Sequence, residues 1–130
     1  MGEREDIEFL RAVYADWSRG DFSRAEVFAP DVEFVTDFPD KGVYRGPEGV
    51  AKGFRGFLSA WTDFSTTAEE IVPTGGGRYL VLERLRGSGK ESGVPIDSPA
   101  ANLITVRDGK IVRLQLFSHR DEARAAAGLG

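Results

Sequence analysis

Apolar positions recur along this chain with two periods, and the change from one to the other divides it near its middle. From Glu5 to Arg19, Ile7, Leu10, Tyr14 and Trp17 fall at helical spacing, and Phe9 and Val13 widen the stripe. The spacing predicts a helix there. Glu3, Glu5 and Asp6 lie where the helix dipole favours negative charge, and Gly20 is placed to end the helix. A short second helix is predicted over Phe22 to Phe28, capped by Asp21 or by Ser23 with Glu26, and stopped by Pro30. Val32 to Phe38 reads as a strand and Pro39 to Gly42 as a loop. Gly46-Pro47-Glu48 then opens a third helix carrying Val50, Phe54, Phe57, Leu58 and Trp61 on one side. Gly49, Gly53 and Gly56 on that helix suit either a close approach of another backbone or ligand, or an unoptimised surface face.

From Phe64 onward the pattern is that of strands. Thr66 to Val72 and Arg78 to Gly87 flank a Gly75-Gly76-Gly77 turn, and Ser88 to Pro99 reads as a bulge or an edge, since Pro95 and Pro99 donate no ladder bonds. Asn102 to Val106 and Ile111 to Phe117 form a hairpin, with Asp108-Gly109 supplying the positive φ angles of a tight turn. Alternation sends Val112, Leu114 and Leu116 one way and Ile111, Arg113, Gln115 and Phe117 the other. Glu83 interrupts Tyr79, Val81 and Leu85, while Arg84 interrupts Leu80 and Leu82, so either face holds a charge or meets water at that level. Asp121 to Ala127 completes the chain as a short helix. Helices followed by a run of strands indicate an α+β fold, a curved mixed or antiparallel sheet wrapped around the N-terminal helices as a cone. The open end of such a cone is a natural pocket.

The 130 residues make one domain, and nine Phe, three Tyr and two Trp can fill a core and still line a cavity. A net charge of −4 argues against a nucleic-acid partner. With no Cys and one His, neither a thiolate nucleophile nor a metal site is expected, and no cofactor. The start is too charged for a secretory leader, and no apolar run approaches the ~20 residues that span a bilayer. The expectation is a soluble cytoplasmic protein without membrane contact. Gly87-Ser-Gly-Lys90 fails as a phosphate loop, because Arg84 and Glu91 stand where Gly and Ser or Thr belong.

Several stretches together are similar to the nuclear transport factor 2-like superfamily, and more closely to its SnoaL-like branch. They are Trp17-Ser-Arg-Gly-Asp21, Phe28-Ala-Pro-Asp-Val-Glu-Phe34, Tyr44-Arg-Gly-Pro-Glu-Gly-Val50, Arg107-Asp-Gly-Lys-Ile-Val-Arg113 and the ending Asp121-Glu-Ala-Arg-Ala-Ala-Ala-Gly128. The resemblance spans nearly the whole chain and implies the cone fold. Its members include ketosteroid isomerases, polyketide cyclases, epoxide hydrolases and non-enzymatic binding modules, so the site has to decide the function. The isomerase-like pattern implies a base near the end of the first strand, on Asp37 or, counted from Phe28-Ala29-Pro30-Asp31, on Thr36. One residue reverses the face of a strand, so Asp37 points inward only at a bulge or strand end. The same pattern implies a hydrogen-bond donor at Asn102, and Tyr14 is a second candidate.

Trp17, Phe54, Trp61, Ile104, Leu116 and His119 are the expected ligand-binding residues. Two functions are compatible with this set. One is a cofactor-independent acid/base enzyme, of isomerase, cyclase or hydrolase type, acting on an apolar carbonyl- or epoxide-bearing molecule. The other is a non-catalytic module that binds a small apolar ligand or dimerises. A homodimer would form through the outer sheet face, with Ile111, Arg113, Gln115 and Phe117.

Overall fold

The computed structural model describes residues 2–37 and 41–129. Helix α1 (Glu3–Ser18) is followed by a 3-10 turn (Ala25–Val27), β1 (Phe28–Thr36), β2 (Gly42–Arg45) and α2 (Gly46–Ala60). Strands β3 (Trp61–Gly75), β4 (Arg78–Gly89), β5 (Pro95–Arg107) and β6 (Lys110–Phe117) come next, and α3 (Arg120–Ala126) closes the order. The six strands form one curved sheet in the order β2-β1-β6-β5-β4-β3, antiparallel throughout except for the parallel pair β1 and β6. No helix among the described residues is long and apolar enough to cross a membrane.

The predicted stripe of α1 is buried as expected: Leu10, Val13, Tyr14 and Trp17 join Val50 of α2 and Phe34, Val81, Ile104 and Leu114 of the sheet in the main core. A second apolar layer lies on the other side of the sheet. There Ala123 and Ala127 cover Leu80, Leu82, Ala101 and Leu103. Both faces of β4 are therefore packed, which is why both read as apolar.

Local chemistry sets the turns. Gly20 has φ +78° and donates its N–H to Trp17, closing α1. Asp108 (φ 52°) and Gly109 (φ 72°) make the tight β5–β6 turn that was expected of them. Gly53 has a different role. A Cβ there would lie 2.8 Å from the Phe34 ring and 3.1 Å from Tyr44, so the glycine lets α2 settle onto β1 and β2. Gly53→Ala is expected to destabilise the fold by about 1–2 kcal/mol despite the better helix propensity of Ala, read as a lower urea midpoint.

Four expectations need correction. The helix predicted over Phe22 to Phe28 is only a 3-10 turn, because Phe28 already pairs with Ile111 and enters the core. Gly42–Arg45, read as loop and lead-in, is an edge strand on β1. Trp61 starts β3 opposite Gly89 and does not end the helix. Finally, Ile111 does not share the outer face with Arg113, Gln115 and Phe117. Thr105 pairs with Arg113 and Val106 with Ile111, leaving Val112 as an extra residue, and that bulge turns Ile111 into the core with Leu114 and Leu116. Phe38, Pro39 and Asp40, parts of the predicted strand end and loop, lie outside the described residues.

Candidate functional site

Between the helices and the concave side of the sheet is a narrow, partly open hollow of about 40 Å³. Its wall is aromatic. Trp17 comes from α1, Phe22 from the segment after it, Phe34 from β1, Phe54 from α2 and Phe64 from β3. Phe54 lies at the centre of the cluster, with ring centroids 5.7 Å from Trp17, 5.6 Å from Phe22 and 5.4 Å from Phe34, all edge-on. Leu58, at the end of α2, also lines the space and is more than a third exposed.

Three polar side chains line this apolar space: Thr66 of β3, Glu83 of β4 and Asn102 of β5. They share one face of three adjacent strands: Asn102 is opposite Val81 and Thr66 opposite Leu85, so each lies diagonally beside Glu83, one on either side of its level. All are buried, with Glu83 only 1% exposed. The Thr66 hydroxyl donates to Glu83 Oε2 at 2.5 Å. Glu83 Oε1, the Tyr14 hydroxyl and Asn102 Oδ1 are sealed from solvent and have no hydrogen-bond partner of ordinary geometry among the described residues. Tyr14 and Asn102 lie near enough to Glu83 to favour its charged form, but neither completes a hydrogen bond of ordinary geometry to Oε1.

This environment changes the chemistry of the carboxyl group. Burial pushes Glu83 from the usual 4.5 up to about 7, against the opposing pull of Thr66, Tyr14, Asn102 and Arg120. Burial, and then the charge of Glu83, raises Tyr14 well above the ordinary tyrosine range, so its hydroxyl stays protonated. The other two buried acids among the described residues are committed elsewhere. Asp6 accepts from Tyr79 at 2.7 Å, and Asp16 pairs with Arg19 and Arg24. Glu83 is a buried acid with a free oxygen, a midpoint near neutrality and donors beside it, which suits proton transfer.

The structure brings together five of the residues singled out from the sequence: Asn102, Tyr14, Trp17, Phe54 and Leu116. It places four elsewhere. Asp37 lies just past β1 and accepts from the Ser118 N–H at 3.1 Å and the Ser118 hydroxyl at 3.3 Å, clamping the ends of β1 and β6. Thr36 holds the inward position of that strand and Asp37 follows it, as alternation requires. Ile104 is sealed in the core, and Trp61 lines a separate surface cleft with Lys90. His119 is exposed at the N-cap of α3. Glu83 and Thr66 were not among the expected site residues; the available signal was the charge interrupting Tyr79, Val81 and Leu85. Asp37→Ala is expected to cost about 1 kcal/mol through the lost clamp while leaving the titration of Glu83 unchanged, as urea unfolding and carboxyl NMR would record.

Residues 10–114 match the SnoaL-like domain family. The chain belongs to that family. The SnoaL-like domain described here is 34% identical over 125 residues to an uncharacterized protein of Mycobacterium tuberculosis, covering 90% of this chain and 91% of the relative. Among solved structures it resembles a Catenulispora acidiphila protein with a ketosteroid isomerase-like fold, in complex with trimethylamine. The TM-score is 0.74 at 19% identity, over 95% of this chain and 94% of that one. It also resembles TerC co-crystallized with polyporic acid, with TM-score 0.73 at 20% identity over 95% and 98% of the two chains. These likenesses establish the cone fold of the SnoaL-like domain.

Proposed function

We propose that this protein binds a small, largely apolar carbonyl compound in the aromatic hollow and moves a proton on it with Glu83, without a cofactor. One observation carries the reading: a buried carboxyl group with an unpartnered oxygen, held near half-protonation at neutral pH, lines an aromatic wall. In the charged state Glu83 removes a proton from the carbon beside the carbonyl. The electron pair moves onto the carbonyl oxygen as an enolate, and the Tyr14 hydroxyl and Asn102 amide N–H donate to it. The Glu83 acid then returns the proton. Where the substrate has a carbon–carbon double bond next to that α-carbon, the enolate is conjugated with it, and return of the proton to the far carbon shifts the double bond and completes an isomerisation. If the enolate carbon first bonds to a second carbonyl of the same molecule, the proton goes to the new alkoxide and the product is cyclised.

The complexes named for two structural relatives, one with polyporic acid and one with trimethylamine, support the reading that a domain of this fold takes small organic ligands. The test is hydrogen–deuterium exchange at the α-carbons of a panel of small cyclic and aryl ketones in D2O. Exchange that needs Glu83 supports the reading. Binding without exchange across the panel would favour the alternative, a ligand carrier of the same fold.

A further inference from the structure

The side of the sheet facing away from the hollow carries a cation aimed at the back of Glu83. Arg120, the first residue of α3, donates from Nη2 to the main-chain carbonyl of Glu83 at 2.7 Å and from Nε to that of Ala100 at 3.0 Å. Glu83 and Ala100 are register partners on β4 and β5, so one guanidinium ties the two strands together at the level of the site. Its other contact is an ion pair with Glu69 at 2.5 Å. Glu69 is itself irregular. Ala68 pairs with Glu83 and Glu70 with Leu82, so Glu69 is the extra residue of a bulge in β3 directly beside Glu83. A bulge interrupts the ladder at its own level, and Arg120 supplies a donor to a carbonyl there. Arg84 holds Glu69 from the other side at 3.3 Å and is anchored on Asp97 at 3.0 Å.

We propose that Arg120 is a positioning residue for Glu83, fixing its main chain from the opposite face of the sheet and placing a positive charge behind its carboxyl group. This deepens the reading of Glu83 as the working acid/base, but it is tested on Glu83 itself and not on turnover. The groups facing Glu83 are Tyr14 from α1, Thr66 from β3, Asn102 from β5 and the Arg120 charge from α3; Thr66, Tyr14, Asn102 and Arg120 all favour the charged carboxylate against its burial. Arg120 differs from the other three in acting from the opposite face of the sheet.

The experiment follows the carboxyl carbon of Glu83 by carbon-13 NMR across pH in the wild type, Arg120→Gln, Arg120→Lys and Arg84→Gln, with amide hydrogen exchange on the same samples. Arg120→Gln is expected to raise the Glu83 midpoint by about 0.3–0.5 pH unit, because it removes a cation that is screened by protein and solvent and is the smallest of the influences favouring the carboxylate. Arg120→Lys keeps the charge but not the two-pronged geometry. It should hold the midpoint near the wild-type value while the amides flanking Glu83 and Ala100 exchange roughly tenfold faster. Arg84→Gln, which does not reach the Glu83 carbonyl, should leave the midpoint in place. A folded Arg120→Gln with an unmoved midpoint would overturn the proposal. So would an Arg120→Lys protein with unchanged exchange at those amides, which settles the matter even if Arg120→Gln does not fold. Because neither readout needs a substrate, the inference can fail while the proposed reaction stands, and the reverse.

Discussion

Glu83→Gln is expected to abolish α-proton exchange by the protein and, above neutral pH, to make the protein more stable. The two effects share one cause. The carboxyl midpoint rises from 4.5 to about 7 on folding, so the folded state holds this proton more tightly than the unfolded chain does. Its contribution is fully present below about pH 4.5 and is lost as pH rises through about 7, a loss of about 3 kcal/mol in all. Gln stays neutral across that range and keeps an oxygen to accept from Thr66. The variant should therefore match the wild type within about 1 kcal/mol at pH 4.5 and exceed it by about 3 kcal/mol at pH 9, by urea unfolding. Without a group to take the proton, exchange should fall by about 10²–10⁴-fold. A stability difference that does not change with pH would mean that Glu83 titrates like an ordinary surface carboxylate.

The second large effect is expected from Phe54→Ala. Phe54 lies against the rings of Trp17, Phe22, Phe28 and Phe34. Truncation removes edge-to-face contacts from three elements together and leaves a void where α2 meets the sheet. The expected cost is about 3 kcal/mol, read as a fall in Tm of roughly 10 °C. The same change should widen the hollow, so that bulkier ketones enter while small ones bind less tightly. Loss of stability with an unchanged size preference would separate the aromatic cluster from ligand selection.

How far the sequence disclosed this arrangement depends on whether a local rule competed with packing. Asp108-Gly109 and Gly75-Gly76-Gly77 adopt the positive φ angles their composition demands, and the stripe of α1 is buried as its spacing implied. Nothing nearby offered those segments an alternative. Phe22 to Phe28 had one: helical caps and spacing were present, but pairing of Phe28 with Ile111 drew the segment into β1. The bulge at Val112 is a register event between two strands, and no single-strand alternation contains it, so Ile111 was assigned to the wrong face.

The site was half legible for a related reason. Asn102, Tyr14, Trp17, Phe54 and Leu116 stand on regular elements, where spacing fixes the facing side. Glu83 was visible as a charge among apolar neighbours, yet Arg84 gave the opposite face the same appearance. Only α3, packing Ala123 and Ala127 over Leu80 and Leu82, shows which face is the outer one. Arg84 then lies toward Glu69 and Asp97 on that side, and Glu83 is left inward. Asp37 drew notice through its place near the end of the first strand, but in the structure it is engaged by Ser118.

The most direct test is the titration of Glu83 in the wild-type protein, followed through its labelled side-chain carbon. A single transition near pH 7, moved by an added ketone and absent from Glu83→Gln, is the predicted result. A midpoint near 4.5 that no ligand of the panel disturbs would contradict a proton-transferring carboxyl group in this hollow.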